Sequence, residues 1–141
     1  MNINVFQNNI VYSKNNVLRG LHFQAGKNHQ GKLVSVIEGE IIDVVVDIRK
    51  KSKNFGKWQL VNLSKKNKKA LWIPRGFAHG YYTISNYNLV SYLVDNIYNH
   101  QRQKSIKCND KTLNIKWPLK KKLPILSLKD KNAQSFEELK F

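Results

Sequence analysis

Histidine, lysine, tyrosine and aspartate are the side chains that shuttle protons near neutral pH. Three polar clusters in this sequence place them where an apolar pattern breaks. The first is Arg19-Gly20-Leu21-His22-Phe23-Gln24, followed by Gln30-Gly31-Lys32. In strand alternation Gly20, His22 and Gln24 share a face, with Arg19 beside them. The second is Trp72-Ile73-Pro74-Arg75-Gly76-Phe77-Ala78-His79-Gly80, where a Pro-x-Gly turn delivers His79 onto the next strand. The third is Ser127-Leu128-Lys129-Asp130, an acid next to a base in a late loop. Separately, Tyr92 shares a strand face with Val90, Val94 and Tyr98.

Each residue also has a purely structural reading. A lone histidine commonly serves as a hydrogen-bonded structural residue, and Tyr92 among valines fits a core position with its hydroxyl satisfied. Asp130 can cap a terminal helix, and Lys32 at a strand start can face solvent. A metal set would draw on His22, His29, Glu38 and His79. However, no His-x-His pair is present and Glu38 falls in a turn, so no metal site is assigned.

The elements that must position these groups are strands. Residues 32–37 and 41–48 are β-branched runs separated by Glu38-Gly39-Glu40, a turn signal. In the second run Ile42, Val44, Val46 and Ile48 share one face, and Asp43 and Asp47 the other. Residues 58–63, 70–73, 79–84 and 89–98 read as further strands, and 133–140 as a short helix with Phe136 and Leu139 three apart. Many short strands at regular spacing predict an all-β sandwich or barrel.

At 141 residues and 16.5 kDa, with no repeat or composition break, one domain over 1–141 is expected. Cys108 is the only cysteine, no apolar stretch approaches the roughly 20 residues of a membrane span, and the start MNINVFQNN shows no secretory pattern. A cytoplasmic protein with no membrane partner is expected.

The net charge is +16, from 25 basic and 9 acidic residues. Only Arg19, Arg49, Arg75 and Arg102 are arginine, and the lysines gather in loops at 50–53, 65–69 and 120–122. Nucleic-acid surfaces interleave arginine with exposed aromatics, so no nucleic-acid partner is assigned. The charge does favour small anions such as nucleoside diphosphates.

Pro74-x-Gly76-x-x-His79 is similar to the second motif of the cupin superfamily. More specific are RGLHFQ (19–24), QGKLV (30–34), EGEIIDVVVDIR (38–49), FGKW (55–58), LWIPRGFAHG (71–80), CNDKTLNIKWP (108–118) and LPILSLKD (123–130). In order and spacing these blocks resemble the dTDP-4-dehydrorhamnose 3,5-epimerase family over residues 5–130, in a member shortened ahead of Val5. The resemblance implies a cupin-type jelly-roll β-barrel with a short C-terminal helix. It also implies an isomerase acting on a nucleotide-linked 4-keto-6-deoxyhexose. The hydrogens on C3 and C5 flank the C4 ketone, so removing either gives an enolate. Inversion then needs a base on one face, an acid on the other and a positive group near the oxygen. No cofactor is implied.

By resemblance His22 is the base and Asp130 orients its imidazole, a ring whose ordinary pKa of about 6.5 leaves it neutral at pH 7. Tyr92 is the acid from the opposite face, and Lys32 lies near the developing oxyanion and eases formation of the Tyr92 phenolate. Arg19 and His79 match substrate-contacting positions, as do Gln7, Asn8 and Asn9. Lys129 matches a lysine that helps hold the aspartate, and Tyr98 is a candidate pocket wall. Gln103, a further substrate-binding candidate, stands where the family usually has glutamate. Cys108 replaces a usual tryptophan, and Leu93 a frequent lysine. A homodimer formed by exchanging or pairing edge strands is expected. Competing readings are a C3-only epimerase or related ketosugar isomerase, and a cupin that binds a sugar nucleotide without turnover.

Overall fold

Runs of valine, isoleucine and leucine alternating with polar residues form nine strands among the residues that the computed structural model describes, 3–139. They are β1 (Gln7–Lys14), β2 (Leu18–Gln24), β3 (Lys32–Glu38), β4 (Glu40–Asp47), β5 (Trp58–Ser64), β6 (Ala70–Ile73), β7 (Phe77–Thr83), β8 (Tyr87–Val94) and β9 (Gln103–Ser105). Four of them pair in the order β1-β8-β3-β6 and five in the order β5-β4-β7-β2-β9. All the pairings between these strands are antiparallel. The two sheets face each other as an all-β barrel of the cupin jelly-roll type. Among the described residues no helix is long and apolar enough to cross a membrane.

Alternation divides the buried side chains into layers. Val34, Val36, Ile41, Leu63, Ile73 and Val90 fill the space between the sheets at one end. The outer face of the five-stranded sheet is apolar too, through Leu21, Phe23, Val44, Val46 and Ala78. It is covered by the chain after β9, whose Ile106, Leu113, Ile115, Phe136 and Leu139 pack against it. That covering segment has little regular structure and is held by polar anchors. Asp110 accepts from the backbone N–H of Leu113 at 2.9 Å and of Phe136 at 2.8 Å, and Trp58 Nε1 donates to the Leu113 carbonyl at 2.8 Å.

Three expectations need correction. The short C-terminal helix is α1 (Leu128–Lys131), not 133–140. Ser127 caps it by accepting the Asp130 N–H at 3.1 Å, the Ser-x-x-acid signature of a helix start. Beyond it Gln134 bridges to Ile106, and this tertiary pairing keeps 133–139 out of a helix; Lys140 lies outside the described residues. Second, β8 ends at Val94, so Tyr98 does not share the Tyr92 strand face. Third, Gln7–Lys14 is a full strand on β8, where the sequence reading saw only a contact segment.

Candidate active site

Strand register assembles one wall of the barrel cavity. Arg19 on β2 lies opposite Tyr81 on β7, and Tyr81 opposite Asp43 on β4. In the next row His22 lies opposite His79, and His79 opposite Val45. Strict alternation would put Arg19 and His22 on opposite faces, yet both line the cavity. The reason is a register shift between them. Gly20 takes it up at φ +120°, where a Cβ would lie 2.6 Å from the Gly80 Cα, so only glycine fits.

The cavity has two adjoining lobes of about 330 and 390 Å³ that share His22, Lys32, Tyr92 and Gln103. His22 Nε2 lies 2.6 Å from Asp130 Oδ1, with the His22 side chain 26% exposed and that of Asp130 only 2%. Among the described residues Nδ1 is thereby left as the ring nitrogen without a protein partner. The Gly20 N–H donates to Asp130 Oδ2 at 3.4 Å. Burial alone would raise the Asp130 carboxyl, but the His22 hydrogen bond and charge, with Ser127 and Gly20, hold it below its ordinary range.

Tyr92 projects from the opposite sheet, on β8. Burial pushes its hydroxyl above the usual tyrosine value, and the cation that draws it back is Arg19, not Lys32 as expected. Lys32, the first residue of β3, is pushed down to about 8 by burial, against the pull of the Asp43 carboxylate. Burial raises the Asp43 carboxyl, opposed by His79 and Lys32. His79 is itself buried, its Nε2 2.7 Å from Asp43 Oδ2.

Arg19 crosses between the sheets, donating to Ser13 Oγ at 3.0 Å and to the Tyr12 carbonyl at 3.4 Å. Gln7 and Asn9 line the first lobe, joined by a 2.7 Å hydrogen bond. Asn8 does not: alternation turns it to the outer face, where its Oδ1 accepts from Ser91 Oγ at 2.9 Å. Tyr98 reaches the first lobe from the loop after β8 and donates its hydroxyl proton to Gln103 Oε1. Lys129 stands exposed at the rim of the second lobe and makes no bond to the Asp130 carboxylate, which is held by His22 and Gly20 instead. Of the weighed metal set, Glu38 is engaged by Lys65 Nζ at 2.6 Å, and no group of three His, Cys, Asp or Glu among the described residues is placed to hold a metal ion.

Asp43, Tyr81 and Ser13 join the site without belonging to any of the three polar clusters of the sequence. Asp43 carried a signal, since a carboxylate interrupting Ile-Ile-Asp-Val-Val-Val needs a partner when buried. Tyr81 carried none. Its hydroxyl is buried without a hydrogen bond of normal geometry, and burial pushes it up to about 12.

Fold and cavity together define a cupin-type barrel with acid–base groups on both sheets around one chamber. The family model described as dTDP-4-dehydrorhamnose 3,5-epimerase matches residues 1–138, and the chain belongs to that family. The dTDP-4-dehydrorhamnose 3,5-epimerase of Salmonella typhimurium is 52% identical over 132 residues, 94% of this chain and 72% of that protein. The crystal structure of dTDP-6-deoxy-D-glucose-3,5-epimerase from Legionella pneumophila, in complex with dTDP-4-keto-L-rhamnose, superposes with a TM-score of 0.94 at 42% identity. It covers 99% of this chain and 73% of that one. A 3'-monoepimerase from Streptomyces bikiniensis in complex with dTDP-quinovose gives 0.86 at 30% identity, covering 93% and 66%.

Proposed function

We propose that this chain inverts C3 and C5 of a dTDP-linked 4-keto-6-deoxyhexose, converting the dTDP-4-dehydro-6-deoxyglucose type to the dTDP-4-dehydrorhamnose type. One observation carries the reading. His22, paired with Asp130 of α1, and Tyr92 stand on opposite sheets around one cavity, with Lys32 lining both of its lobes.

The unpartnered Nδ1 of His22 takes the proton from the carbon next to the ketone. Asp130 holds the ring and stabilises the imidazolium that forms. The electron pair moves onto O4, and the Lys32 ammonium stabilises the enolate oxygen. Tyr92 then gives its phenol proton to the opposite face of the same carbon, so the centre inverts. Solvent returns a proton to Tyr92 and takes one from His22. Only protons move, so the step calls for no redox cofactor. Arg19, His79, Gln7, Asn9, Gln103 and Tyr98 surround the sugar and its diphosphate, and Lys129 adds positive charge at the rim.

The working unit is a homodimer of one-domain chains in the cytoplasm, a compartment that suits the lone, buried Cys108. The outer face of the four-stranded sheet exposes Ile10 and Tyr12 of β1 and Tyr87 of β8, with the two tyrosine rings 4.7 Å apart. An apolar sheet face of this kind calls for a cover.

The test is turnover of the 4-keto substrate in deuterium oxide, read by NMR. Label at both C3 and C5 is the expected result. Label at C3 alone means a monoepimerase, and binding without label means a non-catalytic cupin.

A further inference from the structure

The Lys32 ammonium makes no hydrogen bond among the described residues, so its position is set by the backbone, which pairs with Ile73 on one side and Val94 on the other. That backbone sits where a regular ladder stops. Lys32 pairs with Val94, and one residue further the rung is completed by a side chain. The Asp95 N–H donates to the Gly31 carbonyl at 3.2 Å, while the Gly31 N–H donates to Asp95 Oδ1 at 2.7 Å. Asp95 Oδ2 accepts from Arg75 Nε at 3.0 Å, and a second Arg75 nitrogen donates to the Asp95 carbonyl at 3.1 Å. Arg75 belongs to the Pro-x-Gly turn that leads to His79, but it is not among the residues lining the cavity.

The approach is close. A Cβ on Gly31 would lie 2.8 Å from Asp95 Oδ2 and 2.6 Å from the Trp72 ring. The next residue extends the seam: Asn96 Nδ2 donates to the carbonyls of Lys27 and His29, both at 3.1 Å. Gln30 Nε2 answers with a bond to the Asn96 carbonyl at 2.9 Å. Residues 27–31 are thus sewn to the end of β8. Asp95 is the one side chain in that seam that also reaches the turn before β7.

We propose that Asp95 is a positioning residue for Lys32, fixing the start of β3 so that the ammonium stands at the enolate oxygen. The proposal rests on the role given to Lys32 above. A charged acceptor on the Gly31 N–H makes a stronger bond than a neutral one, and it shields a backbone group next to the cavity from water. Without it the first residue of β3 keeps its pairing with Ile73 and Val94 but loses the rung beside it, and a misplacement of about 1 Å in a catalytic group lowers turnover steeply.

The experiment is a double-mutant cycle between positions 32 and 95 in the full-length chain, with kcat and KM measured on the 4-keto substrate. Lys32→Met is expected to lower kcat by about 10²–10³-fold. Asp95→Ala should lower kcat about tenfold and leave KM within about twofold, since the enolate exists only after proton removal. In the Lys32→Met background Asp95→Ala should cost less than about twofold more. Asp95→Asn, whose amide oxygen can still accept from Gly31, should restore most of kcat. If Asp95→Ala does not fold, Arg75→Gln on an exposed side chain frees the same carboxylate, and about a threefold loss confined to the Lys32 background is expected. A loss of equal size in both backgrounds, or a lowered melting temperature with kcat intact, overturns the positioning role while leaving Lys32 in place. Full kcat in Lys32→Met overturns the enolate role and the proposal with it.

Discussion

The five-stranded sheet has two faces made from the same strands, and they do opposite work. Toward the cavity, β2 and β7 present Arg19, His22, Tyr81 and His79, with Asp43 of β4 buried against His79. Away from it, residues one step along the same strands present Leu21, Phe23, Ala78, Val44 and Val46 to the covering segment. The cavity face is costly. Among the described residues Asp43 Oδ1 is buried without a hydrogen-bond partner, a cost of about 1–3 kcal/mol, and the Tyr81 hydroxyl is buried without a hydrogen bond of normal geometry. The covered face offsets this, since each fully buried apolar side chain contributes roughly 1.5–3 kcal/mol. Alternation lets a strand carry chemistry on one side because its other side is a core.

The comparison breaks most sharply at the base. His22→Asn should reduce solvent exchange at both carbons by about 10³–10⁴-fold, with circular dichroism and melting temperature near those of the parent. Asp130→Asn should follow it closely, because an imidazole in the wrong tautomer is a poor base. Near-normal exchange in His22→Asn would remove the base from this site. Tyr92→Phe separates the two sheets. Inversion should fall by about 10²–10⁴-fold, yet His22 should still wash deuterium into the substrate from its own face. Loss of stability with unchanged turnover would make Tyr92 core filling instead.

The covered face predicts the reverse pattern. Phe136→Ala should cost about 3–5 kcal/mol in denaturant unfolding, since Phe136 is buried among Leu113, Ile115 and Leu139. At temperatures where the variant stays folded, kcat should be close to that of the parent. A large loss of kcat there would mean that the two faces are not independent.

How much of this was legible in the sequence follows the same division. Six strands were visible because β-branched runs and turn residues encode them locally, and β6 was read as 70–73 without error. The polar residues His22, Lys32, His79, Tyr92 and Asp130, which the fold brings around the cavity, were visible as motifs. What escaped was whatever only tertiary pairing decides. β1 is too polar to announce itself, and its strand exists because β8 offers a partner. Asn8 was grouped with Gln7 and Asn9 by sequence, but alternation turns it away. Phe136 and Leu139 were correctly paired as apolar, yet a helix was inferred where a bridge to Ile106 supplies the backbone bonds. Asp43 was seen on the face opposite the valines, but nothing local said that this face looked onto His79.

The smallest effect is also the most diagnostic, because one residue should move two observables in opposite directions. Burial holds Lys32 at about 8 in the folded chain, against about 10.5 when unfolded. Below about pH 8 the ammonium is charged in both states, and the full burial penalty stands. Between about 8 and 10.5 the unfolded chain binds more protons at this position, so its contribution to stability rises with pH. Above that range the amine is neutral in both states and the penalty is gone. Turnover should run the other way. As Lys32 loses its charge near pH 8 the enolate loses its cation, and kcat/KM falls on the alkaline side. Tyr92, held above its ordinary value, stays protonated through that limb and does not cause it. The measurement is the difference between the parent and Lys32→Met in urea midpoint and in kcat/KM, each followed from pH 7 to about 10.5. Stability of the parent should gain on the variant as its activity declines. Parallel curves in the two proteins would show that Lys32 carries no buried charge in this range. Asp43→Asn then sharpens the result, for without the facing carboxylate the Lys32 ammonium gives up its proton at still lower pH, and the activity limb should move toward neutrality.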